Sequence, residues 1–177
     1  EAMAGGLIYA GSVLLMFGMS ALYHRPMWSR RALRVLRRLD HSGICFLIVG
    51  SVTAFWTLAP PELRSPFQLG AMWAAAIFSV VAMVVWTDMP RALRAAGFVA
   101  LGLSSIPLVL NFPDSFGWAR TGWVGASAAI YILGAAVYAR RWPSPVPHVF
   151  GFHEVFHVMV VIAAAIHFTV IVQLHWA

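Results

Sequence analysis

The segment that decides the fold lies near the C-terminus, where residues 151–173 read GFHEVFHVMVVIAAAIHFTVIVQ. Its run from Val158 to Val172 is almost entirely apolar and contains no Asp, Glu, Lys or Arg. About 20 such residues in an α-helix cross the hydrocarbon core of a bilayer, which is ~30 Å thick. The segment therefore predicts a membrane-spanning helix that begins with two histidines, His153 and His157.

The composition of the whole chain agrees with this segment. The 177 residues are 61% hydrophobic and only 10% charged, whereas a soluble domain is about 25% charged. The apolar stretches are about 20 residues long, which is twice the length of a strand in a membrane barrel. We therefore predict an all-α, polytopic transmembrane helix bundle that forms a single domain over residues 1–177.

Proline-rich and arginine-rich breaks divide the chain into six predicted spans. Proline ends helices because it lacks the backbone N–H, and it occurs in breaks such as Pro60-Pro61 and Pro143-Ser144-Pro145. The predicted spans cover residues 4–23, 39–59, 67–87, 93–110, 121–138 and 149–173. Pro107 is expected to kink the fourth span, where Ser104 and Ser105 can bond to the freed carbonyl groups.

The distribution of arginine predicts the orientation in the membrane. All twelve basic residues are Arg, and the first, third and fifth loops with their adjoining span ends hold ten of them. Because arginine-rich loops stay in the cytoplasm, these three loops are predicted to be cytoplasmic and the C-terminus to be outside. Topology thus accounts for the positive charge, and a nucleic-acid partner is not expected.

The first loop also carries a helical pattern. Ala32, Val35, Leu36 and Leu39 follow the i, i+3, i+4, i+7 spacing of one helix face, and arginines occupy the other side. This pattern predicts a short amphipathic helix that lies at an anionic leaflet. The alternative is an unstructured basic loop that only fixes the topology.

Three segments bring polar residues to the predicted cytoplasmic side. Ser20 and His24 end the first span, Asp40 begins the second, and His153 and His157 begin the sixth. The predicted topology alone therefore places these five side chains at one membrane depth. Polar groups inside a bilayer are costly and usually serve a function.

The three histidines of this group predict a zinc site. His153 and His157 are spaced i and i+4, so they lie on one helix face, and His24 would complete a set of three imidazoles. Three protein ligands leave one position for water, which is the pattern of a catalytic zinc ion, although several other first-row ions also suit imidazole. Asp40 would accept a proton from that water, and Ser20, one turn before His24, would act beside it.

These motifs resemble those of the hemolysin III family. That family is the bacterial branch of the progestin and adipoQ receptor group, which is related to alkaline ceramidases. The resemblance extends over nearly the whole chain and rests on Ser20-x-x-x-His24, on Asp40-His41-Ser42-Gly43, and on the segment from Gly151 to His157.

The resemblance implies both a fold and a site. It implies seven helices with the N-terminus inside and the C-terminus outside; six spans are predicted here, so the first helix of the family is expected to be absent. It also implies zinc held by His24, His153 and His157, with Asp40 close to the metal-bound water and Ser20 nearby. The expected location is the plasma (inner) membrane of a bacterium, and the expected partners are membrane lipids, such as a lipid amide or a free fatty acid.

Four functions are open on these grounds. The first is a zinc-dependent, ceramidase-like hydrolase of lipid amide or ester bonds, and the second is a receptor-like protein of membrane homeostasis with structural zinc. The third is a hemolysin-type cytolysin, which fits poorly because the spans lack a polar stripe to line a channel. The fourth is an intramembrane metalloprotease, in which His153-Glu154-x-x-His157 is a zincin motif and Glu154 is the general base.

Each candidate residue also has a purely structural interpretation. The two α-helical histidines could be a hydrogen-bonded packing pair, Asp40 could cap the second span, and Ser20 could bond to the carbonyl one turn before it. His167 lies ten residues beyond His157, about 15 Å along the helix, and is predicted to pack, while His41 is predicted to face away from the site. A stripe of small residues continuing from Asp40 is predicted to pack against another helix; its members are Gly43, Leu47, Gly50, Ser51 and Ala54.

Overall fold

A computed structural model of the protein describes residues 1–25, 27–86, 88–146 and 148–176. Within this described part, six helical segments are long and apolar enough to cross a membrane. They are Ala2–Tyr23, Arg30–Leu58, Pro66–Val85, Arg91–Val109, Trp118–Arg140 and Phe152–His175. The prediction of an all-α, polytopic helix bundle with six spans is confirmed.

The helices are numbered α1 to α8 in chain order. They are α1 Ala2–Tyr23, α2 Arg30–Leu58, α3 Pro66–Val85, α4 Arg91–Leu103, α5 Ile106–Val109, α6 Phe112–Phe116, α7 Trp118–Arg140 and α8 Phe152–His175. The chain divides into two compact units. The first comprises Glu1–Leu58 and Arg64–Met89, with α1 to α3, and the second comprises Ala59–Leu63 and Pro90–Ala177, with α4 to α8.

Most helix ends differ from the predicted spans by a few residues, and the largest difference is at the start of α2. This helix begins at Arg30, not at residue 39, and runs for 29 residues. Neither proline nor glycine occurs between Arg30 and Gly43, and arginine and leucine favour helix. The basic segment is therefore neither a separate amphipathic helix nor a loop. It is the N-terminal part of a helix about 43 Å long, which is longer than the ~30 Å hydrocarbon core.

The other large difference is in the fourth span, where Ser104 and Ser105 separate α4 from α5. Their hydroxyl groups each donate a hydrogen bond of 2.7 Å, to the carbonyl oxygens of Leu101 and Gly102 respectively. Pro107 lies just beyond, and a proline ring clashes with the carbonyl group four residues before it. The predicted kink is thus a break that precedes the proline. The predicted end of the third span, Thr87, lies outside the described residues, and α3 ends at Val85.

In the first unit, α1 packs antiparallel against α2 through small residues. A Cβ added at Gly43 would lie only 2.9 Å from the Cα atom of Met16, and one added at Gly50 would lie 2.4 Å from the Ser12 Oγ. Glycine therefore lets the two backbones approach each other closely. The predicted packing stripe of α2 is confirmed, since every one of its five residues is buried.

The outward faces of the spans are apolar. Leu14 of α1 and Phe78 of α3 are each 74% exposed, and Phe168 of α8 is 56% exposed. Such side chains are stable on a surface that is covered by lipid. In the second unit, α7 packs against both α4 and α8, which brings the start of α4 and the start of α8 to the C-terminal end of α7.

Candidate functional site

Three of the predicted site residues form a polar group in the first unit. Ser20 lies in the last turn of α1, and the backbone N–H of His24, which caps that helix, donates to the Ser20 carbonyl oxygen at 3.0 Å. The carboxylate of Asp40 in α2 accepts a hydrogen bond from the Ser20 hydroxyl and interacts electrostatically with His24. The sequence-based grouping of these three residues is therefore seen directly within this unit.

The seam between α1 and α2 explains how this group is positioned. Ser12 faces Gly50, and Met16 faces Gly43. One turn further along α1, Ser20 meets Asp40, so the polar contact continues the register of the small-residue packing. The close approach of the two backbones at the glycines thus sets where the carboxylate meets its hydroxyl partner.

The structural alternative for Asp40 is wrong. Because α2 begins at Arg30, Asp40 lies well inside the helix and does not cap it. The residue is only 5% exposed, and burial of a carboxylate is costly unless polar partners compensate for the lost water. Ser20 provides such a partner, and it is itself buried.

In the second unit, His153 and His157 lie in the first two turns of α8 and face each other. Their Nε2 atoms are 3.1 Å apart, and their ring planes meet at 87°. Two imidazoles on one tetrahedral zinc ion would have nitrogen atoms about 3.3 Å apart, since each Zn–N bond is ~2.0–2.1 Å long. The pair therefore fits two ligands of a single ion, and the same distance also suits a hydrogen bond between packing histidines.

The donor set of the chain also fits a metal. The imidazoles of His24, His153 and His157 are groups that could bind a metal ion, and imidazole is a preferred ligand of zinc. The two histidines of α8 are half-buried and His24 is exposed, so at least one ligand is reachable from outside the protein.

Glu154, the general base of the zincin alternative, has a structural role at the start of α8. Its Oε2 atom accepts a hydrogen bond of 2.8 Å from the backbone N–H of Gly151, the residue that precedes the helix. The Ser144 hydroxyl accepts a second hydrogen bond from the N–H of Phe152 at 3.3 Å. These bonds satisfy N–H groups that a helix start leaves without partners.

Three residues near the histidine pair do not stand out in the sequence, namely one tyrosine beside His153 and two arginines that contact this tyrosine. Tyr138 of α7 lies with its ring centroid 6.2 Å from that of His153, and Arg94 of α4 donates a hydrogen bond of 3.3 Å to the Tyr138 hydroxyl. Arg91 stacks over the Tyr138 ring at 5.9 Å. One signal was available, because Arg91 and Arg94 are spaced i, i+3 and begin a span on the same predicted side as the end of α7.

His167, which is predicted to have a hydrogen-bonded packing role, lies deeper in the same unit, and its packing is confirmed. It is 9% exposed, and its ring lies 5.7 Å from that of Tyr131 in an edge-on arrangement. His41, the neighbour of Asp40, is half-buried on α2.

Comparison with known proteins places the chain in a family. Residues 2–168 match the family model described as Haemolysin-III related. The chain is 29% identical to the adiponectin receptor protein of Drosophila melanogaster, over 95% of this chain and 41% of that protein. It is 30% identical to the ADIPOR-like receptor IZH2 of Saccharomyces cerevisiae, over 91% of this chain and 56% of that protein.

A third relative is covered more completely. The chain is 30% identical to the heptahelical transmembrane protein ADIPOR2 of Oryza sativa subsp. japonica, over 84% of this chain and 72% of that protein. The chain spans about half the length of the fly and yeast relatives. The family match covers nearly all the residues that form the six apolar spans. The protein is therefore a multi-pass membrane protein that belongs to the haemolysin-III-related family, within the progestin and adipoQ receptor group.

Proposed function

We propose that the protein is a membrane-embedded, zinc-dependent hydrolase of lipid amide or ester bonds. The observation that carries this proposal is the pair of facing Nε2 atoms of His153 and His157, 3.1 Å apart at the start of a candidate span. Imidazoles are costly inside a bilayer and are retained there for function. In this proposal His24 is the third ligand of the same ion.

The group around Asp40 supplies the proton chemistry of the proposed reaction. Zinc held by the three imidazoles would leave one position for a water with a pKa lowered toward about 7, and it would polarise a carbonyl oxygen. Asp40 accepts the proton that the water loses and returns it to the amide nitrogen or ester oxygen that leaves. The Ser20 hydroxyl donates to the Asp40 carboxylate, which would fix its orientation and leave its other lone pairs to accept the proton.

We also propose that the site lies at the cytoplasmic side of a bacterial plasma (inner) membrane, with the C-terminus outside. The arginine distribution supports this orientation. Within the second unit, Arg91 at the start of α4 contacts Tyr138 near the end of α7 and Phe152 at the start of α8. The third loop and the fifth loop therefore end on the same side of this unit, as the positive-inside rule requires. The substrate would be a lipid amide or ester that enters sideways from the cytoplasmic leaflet, and a free fatty acid would be a product.

Lipid hydrolysis by the purified protein tests this proposal. Zinc-loaded protein in nanodiscs is incubated with a panel of lipid amides and esters, and released fatty acid is measured by mass spectrometry. Asp40→Asn keeps an acceptor for Ser20 but removes the proton acceptor, so turnover is expected to fall about 100-fold or more. Asp114→Asn, at an exposed aspartate of α6, is the matched control. Fatty acid release by Asp40→Asn at the parent rate, or no release by the zinc-loaded parent, would contradict the proposal.

A receptor-like protein of membrane homeostasis with structural zinc is the second candidate. The observation that favours it is that the fly and yeast relatives are named as receptors. In that case Asp40 would be a fourth ligand in place of water. Asp40→Asn would then lower the zinc affinity, whereas the hydrolase proposal expects this variant to keep its zinc and lose only turnover.

A further inference from the structure

Two arginines at the start of α4 contact the end of α7, and one of them also contacts the start of α8. The guanidinium carbon of Arg91 lies 5.9 Å from the ring centroid of Tyr138 and 5.7 Å from that of Phe152. Arg94 donates a hydrogen bond of 3.3 Å to the Tyr138 hydroxyl. An arginine that only set the membrane topology would need none of these contacts. Cation–π contacts of this kind stabilise the position of the paired side chains, and more strongly where water is excluded.

Tyr138 lies beside the histidine pair. Its side chain is 7% exposed, and its ring centroid is 6.2 Å from that of His153 and 5.3 Å from that of Phe156. The Phe156 ring also lies 6.4 Å from His153 and 5.6 Å from His157. The imidazole of His153 therefore has aromatic neighbours from two helices, which restrict the rotamers open to it.

We infer that Tyr138 is a positioning residue for His153, and that Arg91 and Arg94 hold it in place. This inference rests on the proposed zinc site, in which His153 is a ligand. An imidazole that is already fixed with its Nε2 toward His157 loses less conformational entropy when a metal binds. Groups that orient a metal ligand typically change the metal affinity roughly 10- to 100-fold when they are removed.

The two parts of the tyrosine have separable roles. Its ring packs against His153, and its hydroxyl accepts the hydrogen bond from Arg94. Tyr138→Leu removes both contacts, whereas Tyr138→Phe keeps the ring and removes only the hydrogen bond. Arg94→Gln replaces the arginine by a shorter side chain that no longer reaches the Tyr138 hydroxyl. It therefore removes the same hydrogen bond as Tyr138→Phe does, and the two effects should match.

Zinc affinity, measured by competition with a chelator on detergent-purified protein, is the first readout. Tyr138→Leu is expected to weaken zinc binding roughly 10- to 100-fold, and Tyr138→Phe and Arg94→Gln only a few-fold. Tyr131→Leu is the matched control, because Tyr131 lies on the same helix and contacts His167; it should bind zinc like the parent. If Tyr138→Leu binds zinc as tightly as Tyr131→Leu does, the inference is overturned.

The second readout needs no metal and separates this inference from the proposed function. In metal-free protein with ¹³C-labelled histidine, the ring signal of His153 is assigned from its loss in His153→Asn. Tyr138→Leu should shift this signal while the His167 signal stays, and Tyr131→Leu should do the opposite. If the parent binds no zinc, the proposed function is contradicted. The histidine spectra of the metal-free protein would still show whether Tyr138 positions His153. An unchanged His153 signal in Tyr138→Leu would overturn it.

Discussion

The polar group of the first unit and the histidine pair of the second are positioned by different forces. Ser20 meets Asp40 because glycines let the backbones of α1 and α2 approach each other. His153, in contrast, is enclosed by the large side chains of Tyr138 and Phe156. A larger side chain in the seam of small residues would push the two helices apart. A smaller side chain in the aromatic enclosure would leave His153 without the contacts that hold its ring. The first unit should therefore be sensitive to enlargement, and the second to truncation.

The largest effect is expected at Gly43, where the seam meets a backbone atom of the facing helix. Gly43→Ala places a methyl group 2.9 Å from the Cα atom of Met16, and a backbone atom cannot rotate away as a side chain can. The free energy of unfolding, measured in mixed detergent micelles, should fall by about 2–3 kcal/mol. Gly11→Ala on α1 is the control, because its new Cβ would meet nothing within 4 Å. If Gly43→Ala and Gly11→Ala have the same free energy of unfolding, the close approach at Gly43 does not limit the packing of α1 against α2.

A smaller effect is expected from removal of the hydroxyl at the end of the seam. Ser20→Ala leaves the buried Asp40 carboxylate without this donor, which should cost about 1–2 kcal/mol of unfolding free energy. Ser79→Ala is the comparison, since the Ser79 hydroxyl donates to the Ala75 carbonyl oxygen within its own exposed helix face. A loss in Ser20→Ala no larger than that in Ser79→Ala would show that the hydroxyl does not support Asp40.

The smallest effect is expected at Glu154, which is the alternative to Asp40 as the general base. Glu154→Gln keeps an oxygen that can accept from the Gly151 N–H, so the loss of stability should stay below about 1 kcal/mol. Lipid hydrolysis should be retained in this variant, while Asp40→Asn loses it. A fall of about 100-fold in Glu154→Gln, with Asp40→Asn active, would instead identify Glu154 as the general base.

Patterns of spacing made much of this architecture predictable from the sequence. Apolar runs separated by proline and arginine predicted six spans, and all six are present among the described residues. The spacing of Gly43, Gly50 and their neighbours predicted the packing face of α2, which is buried. Each of these features depends on the spacing of residues within one helix, so it can be predicted from the sequence without knowledge of contacts between helices.

The remaining features depend on contacts between elements or on competition along the helix. Arg91 and Arg94 contact Tyr138, which lies more than 40 positions away in the sequence. The positive-inside rule already explained these two arginines, so the sequence offered no reason to look for a further partner. The second span is predicted to start at residue 39 because the arginines before it indicate a separate amphipathic helix, or a loop, outside the membrane. Helix propensity carries through that segment, since no residue there interrupts the helix. Glu154 fitted the zincin motif, and only its hydrogen bond to the Gly151 N–H in the structure revealed its role at the start of α8.

Metal content is the simplest measure of whether His153, His157 and His24 hold a zinc ion together. Elemental mass spectrometry is applied to detergent-purified parent protein, to the alanine variants of these three histidines, and to His175→Ala, whose histidine is exposed at the end of α8. The expected result is about one zinc ion per chain in the parent and in His175→Ala, and loss of the ion in each of the three ligand variants. Well-folded parent protein without bound metal, or zinc retained in the ligand variants, would contradict it, and the facing histidines would then be a hydrogen-bonded packing pair.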